Sequence, residues 1–124
     1  MKRLEPPQEL RDMPCCIVAV ACALGKIPEI EPNLKEDGYT ILEEANKYIR
    51  KNLSVRKRID YKRGNRPKLK EINMDGKAIV CVLGHYLFVD GDVYYSFFNN
   101  NNDNIISIWL LNEPNGEIQK TVIQ

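Results

Sequence analysis

The sequence predicts an α+β domain with its helices first and a mostly antiparallel sheet after them. Three observations carry this prediction. Residues Cys15 to Leu24 are almost uniformly apolar and several are small, the mark of a buried helix. Ile41, Ala45, Tyr48, Ile49 and Leu53 recur at helical spacing. From Lys77 onward, β-rich runs alternate with turn residues, and the Asp90-Gly91 pair between two such runs is the strongest short-range signal for a hairpin.

Taken in order, residues 1 to 11 read as an extended lead-in with two prolines. Asp12 is placed to cap the first helix, Pro14 is tolerated in its first turn, and Gly25 is a natural stop. Ile27 to Gly38 is an acidic-leaning loop, and Thr40-Ile41-Leu42-Glu43 has the form of a capping box. The second helix then runs from about Ile41 to Asn52. A short exposed strand is expected around Ser54 to Tyr61, and one helical turn in Pro67 to Ile72. Lys77 to Leu83 is a buried central strand, followed by the hairpin from Gly84 to Asn99. Asn99 to Asn104, with five asparagines, is a polar loop. Ile105 to Leu111 reads as a strand, Pro114-Asn115-Gly116 as a turn, and Glu117 to Ile123 as a last strand.

With 124 residues the chain forms one domain, 1–124, able to bury a real core. Its 44% hydrophobic and 28% charged residues are those of an ordinary globular protein. The longest apolar runs, Cys15 to Leu24 and Ala78 to Leu83, are too short to cross a bilayer, so no membrane association is expected. The N-terminal stretch reaches Pro6-Pro7 and an acid before any apolar run, which is not a secretion signal. Four cysteines without a C-x-x-C pair, and one histidine, give no zinc set, so no metal or cofactor is expected. The thiols read as reduced, in a cytoplasmic protein.

The chemistry-bearing residues are Cys15 and His85. A thiol in the first turn of a helix faces unpaired N–H groups and the positive end of the helix dipole, which favours the thiolate. His85, the only histidine, opens the hairpin's first strand. An imidazole can take the thiol proton and later give it to a leaving group. With Asp90-Gly91 at the turn centre, His85 faces Ser96, and a loop one residue longer puts Phe97 opposite. The group that orients the ring then comes from the far end of the hairpin, with Ser96, Asn99 and Asn100 in reach. Backbone N–H groups at the start of the Cys15 helix, or the Gln8 amide, could stabilise an oxyanion.

At these residues the chain resembles the papain-like cysteine peptidases, which follow the order Cys, His, Asn or Asp. It is most similar to the small single-domain papain-like proteins of bacteriophages and, more distantly, to bacteriocin-processing peptidases. Cys15, Ala19, Ala21, Ala23, Leu24 and Gly25 fit the helix motif. Gly76, Ile79 to Val82, Gly84-His85, Asp90-Gly91, Val93 and Tyr95 fit the strand and hairpin motif. The resemblance implies a minimal papain-like fold in which Cys15 is the nucleophile, His85 the base and Asn99 the orienter, with Ser96 as an alternative. The family's acid after the hairpin tyrosine is replaced by Ser96, and its tryptophan by Phe98. The position of the family's oxyanion glutamine is Glu9, one removed from Gln8.

Two functions follow as expectations. One is a thiol hydrolase, a peptidase or isopeptidase acting on a polypeptide, phage-encoded and working in the bacterial cytoplasm. The other is a catalytically inactive relative that binds a host protein or nucleic acid. It draws on the segment Arg50 to Lys70, which holds ten Lys or Arg against one acid, Asp60.

Overall fold

The computed structural model describes residues 1–28 and 42–112. It is a mixed α+β fold of two helices and one six-stranded sheet. In chain order the elements are β1 (Lys2–Leu4), α1 (Cys15–Leu24), α2 (Leu42–Asn52), β2 (Val55–Asp60), β3 (Lys77–Val82), β4 (His85–Asp90), β5 (Val93–Tyr95) and β6 (Ile105–Leu111). Single 3-10 turns sit at Gln8–Leu10 and Leu69–Glu71. The strand order is β1-β5-β4-β3-β6-β2. All neighbours pair antiparallel except β1 with β5, which is parallel.

Side-chain alternation splits the sheet into two packed faces. Ile79, Cys81, Tyr86, Phe88, Trp109 and Leu111 point to one face, where α1 and α2 cover them through Cys16, Val20, Ala45, Tyr48 and Ile49. Trp109 is fully buried there, and its indole N–H donates to Asn46 Oδ1 at 2.9 Å, which ties α2 to β6. Val80, Val82, Leu87, Val89, Tyr94 and Ile105 face the other way. Among the described residues that side is covered without an α-helix: Leu69, Tyr61, Ile72 and Met74 from the connection between β2 and β3, with its single 3-10 turn, pack over it. Both faces are buried, which explains why β3 and β4 read as continuous apolar runs.

Several expectations need correction. Asp12 does not cap α1. Pro14 occupies the N-cap with ψ 142°, and the first helical bond runs from Val18 N–H to the Pro14 carbonyl at 3.1 Å. An extended proline there leaves Asp12 too far back to reach the free N–H groups. Gly25 does end the helix, in left-handed conformation at φ 78°. The lead-in is not merely extended, because its first residues form β1. The turn between β4 and β5 is centred on Gly91-Asp92, with Asp90 opposite Val93, Val89 opposite Tyr94 and Phe88 opposite Tyr95. Gly91 takes φ 66°, while no non-glycine among the described residues has positive φ. That is the glycine-first form of the two-residue hairpin turn. The Thr40 capping box, the rest of the acidic loop from Glu29, the Pro114-Asn115-Gly116 turn and the strand from Glu117 to Ile123 lie outside the described residues.

Candidate thiol–imidazole site

Pairing of β5 with β4 stops at Phe88 and Tyr95, so His85, Tyr86 and Leu87 are paired only with β3. The N-terminus of α1 meets the sheet at this opening. The Cys15 sulfur lies against the backbone N–H of Tyr86, the residue after the histidine, and against the N–H groups of Cys15 and Cys16. Cys15 and His85 line one cleft of about 480 Å³, together with Arg11, Asp12, Met13, Val18, Tyr95 and the segment Ser96 to Phe98. The helix start and the strand start thus bring to one cavity two residues 70 positions apart in sequence.

Behind the ring stands Ser96, whose Oγ is 3.1 Å from His85 Nε2. The expected strand-to-strand register does not bring it there. β5 has already ended, and the chain after Tyr95 folds back toward β4. Ser96 is 2% exposed, and its backbone is fixed from the far side. Its N–H donates to the Leu4 carbonyl at 3.1 Å, and Arg3 donates to its carbonyl at 3.3 Å. Its hydroxyl donates to Asn100 Oδ1 at 2.6 Å and accepts from the Phe98 N–H at 3.1 Å. Phe98 stands edge-on to the imidazole, with ring centroids 5.6 Å apart, and remains 64% exposed at the cleft mouth.

Asn99, expected to orient the ring, does not touch it. Its Oδ1 accepts from the Tyr94 hydroxyl at 3.3 Å and the Asn101 N–H at 3.1 Å, so it shapes the loop instead. Gln8 is exposed, its amide reaches only Glu5 at 3.5 Å, and it does not line the cleft. Asn100, one of the polar groups expected in reach of the ring, enters one step removed, through Ser96, and Asp103 joins the site unannounced. Asn100 is buried, accepts from Ser96 and donates to Asp103 Oδ2 at 2.7 Å. The only hint of this in the sequence is that Asn and Asp side chains bond readily to nearby backbone and to one another in loops.

Electrostatics depart from the expectation of a thiolate. Burial pushes the Cys15 thiol above its ordinary value, and the three backbone N–H groups lower it only in part. Burial also holds His85 below 6.5, with the Asp103 charge pulling the other way. Both shifts favour the neutral forms, a thiol and an imidazole that line the same cleft. The other thiols are further from reactive: burial drives Cys16 to about 12 and Cys22 and Cys81 to about 11. Among the described residues no group of His, Cys, Asp and Glu could hold a metal ion.

No known relative was found. No protein-family model, no curated protein and no solved structure matches the chain. Its reading rests on its own residues.

Among the described residues no helix is long and apolar enough to cross a membrane. Within Arg50 to Lys70 only Arg58 is ion-paired among the described residues, to Glu43 at 3.6 Å and Asp60 at 2.9 Å. Arg56, Lys57, Lys62, Arg63, Lys68 and Lys70 are exposed. Arg56 and Lys57 lie on β2, the sheet edge opposite β1.

Proposed function

We propose that the chain is a papain-like thiol hydrolase, a peptidase or isopeptidase, with Cys15 as nucleophile and His85 as base. The observation that carries this reading is the shared cleft, in which a helix-start thiol and the only imidazole line one cavity with a buried hydroxyl behind the ring. Because both groups rest neutral, the proton moves when substrate is in place. The imidazole takes it as the sulfur bonds to the substrate carbonyl carbon, and the first-turn N–H groups of α1 take the place proposed for Gln8 in stabilising the oxyanion. The imidazolium then protonates the leaving amine, the carbon–nitrogen bond breaks, and water releases the acyl group by the reverse proton path. No cofactor takes part.

The test is thiol reactivity. Iodoacetamide at pH 7.5 should alkylate Cys15 at least about ten-fold faster than the other thiols, and His85→Gln should remove that advantage. Equal, slow labelling of all four cysteines would sink the proposal.

A second reading is favoured by the cations of β2 and the following connection, which lack acidic partners among the described residues apart from those of Arg58. In it the scaffold binds a polyanion, nucleic acid or an acidic host protein, through this edge. Full biological function in Cys15→Ala would decide for it.

A further inference from the structure

The hydrogen bonds behind His85 have a direction, and it is set from the far end. The Asp103 carboxylate can only accept, so the group of Asn100 that meets it at 2.7 Å is the amide NH2. Asn100 must then turn its carbonyl oxygen toward Ser96. That oxygen can only accept, so the Ser96 hydroxyl spends its single proton on it, at 2.6 Å. With that proton committed, Ser96 Oγ meets the backbone N–H of Phe98 and His85 Nε2 as an acceptor. Nε2 must therefore carry the hydrogen, and Nδ1 is left with the lone pair.

We propose that Asp103 is a positioning residue: acting through Asn100 and Ser96, it fixes the His85 tautomer so that Nδ1 is the basic nitrogen available to Cys15. The proposal builds on the thiol–imidazole reading above, but the tautomer itself can be measured without any substrate.

Every member of the relay has a backbone anchor. Asp103 is pinned by its backbone, its N–H donating to the Asn100 carbonyl and its carbonyl accepting from Leu69 N–H, both at 3.0 Å. Asn100 is anchored by its own N–H on the Tyr94 hydroxyl at 3.1 Å, and Ser96 by β1. Asp103→Asn keeps the shape and removes the directionality. An asparagine there offers a carbonyl as well as an NH2, so Asn100 can turn over, reverse the Ser96 hydroxyl, and leave Nε2 as the acceptor. The proton then moves to Nδ1, the wrong nitrogen for attack on the thiol side. A triad whose imidazole is in the wrong tautomer loses most of its activity.

The single histidine makes the test direct, since a long-range 1H–15N spectrum of the full chain at pH 7.5 contains one imidazole. The wild type should show protonated Nε2 and bare Nδ1. Asp103→Asn should raise the Nδ1–H population several-fold and slow Cys15 alkylation by iodoacetamide roughly ten-fold, whereas the charge control Asp92→Asn, in the exposed hairpin turn, should change neither. A wild-type spectrum with the proton on Nδ1 overturns the proposal with no variant needed, and so does an unshifted tautomer in a folded Asp103→Asn. Ordinary Cys15 reactivity beside the expected wild-type and variant spectra would instead refute the hydrolase reading and leave the relay standing.

Discussion

At the Cys15 thiol burial competes with local dipoles, and burial wins. Cys15 has the helix start and a strand N–H directed at its sulfur, yet its thiol still sits above the ordinary value. The consequence for reactivity is a rate that keeps climbing as pH rises above neutrality, in place of the low-pH plateau of a preformed ion pair. Alkylation of Cys15 followed from pH 5 to 10 checks this, and Cys15→Ser should abolish the fast phase. His85 gives a second prediction. Held below 6.5 in the fold, it binds fewer protons there than in the unfolded chain, so stability rises with pH through that window and is complete above it. As pH falls the contribution is lost. Urea unfolding at pH 5 and pH 7.5 should show a larger acid loss for wild type than for His85→Asn. At this scale the sequence exposed Cys15 and His85, because rare chemistry at a helix start and a strand start is visible without the fold. Asn100 is one of three polar candidates in reach with nothing to single it out, and Asp103 is invisible until the loop closes on Ser96.

Among the elements, those defined by neighbouring residues were readable and those defined by distant ones were not. α1 was legible because its apolar run and its terminating Gly25 are local, and β3 because burial on both faces leaves a continuous apolar string. β1 was missed. Its three residues pair with β5, some ninety positions away, and carry no alternation that a sequence reading could use. The hairpin was found but its centre was misplaced by one residue, since Asp-Gly and Gly-Asp turns flank the strands equally well on paper. Gly91 decides it by adopting φ 66°, with nothing within 4 Å of where a Cβ would stand. Gly91→Ala should therefore cost about 1–2 kcal/mol through backbone strain alone, read as a lower midpoint in urea with an unchanged slope.

Across the whole molecule, chemistry and charge are separated. The cleft opens where β4 and β5 part, while Arg56 and Lys57, without acidic partners among the described residues, lie on the β2 edge on the other side of β3 and β6. An edge strand lined with Arg and Lys is also guarded against pairing with another chain, so the same residues discourage aggregation. If they bind polyanion as well, retention on heparin should fall steeply between 50 and 200 mM salt, and Arg56→Glu with Lys57→Glu should remove most of it while Cys15 alkylation stays unchanged. The overall α+β plan with helices leading was readable from element order. One helical turn in the connection after β2 was readable too, but not that this connection would cover the second sheet face, because Leu69, Ile72 and Met74 show no sustained helical or strand period.

The latch that β1 places on Ser96 has a consequence for when the cleft is assembled. A ribosome releases Cys15 early, but the hydroxyl, amide and carboxylate behind the imidazole emerge close to one another and late, and the Leu4 carbonyl must wait for all of them. An incomplete nascent polypeptide carries a thiol with no aligned partner. Synthesis itself thus leaves the thiol and the relay behind the imidazole unassembled until the two ends of the fold have met.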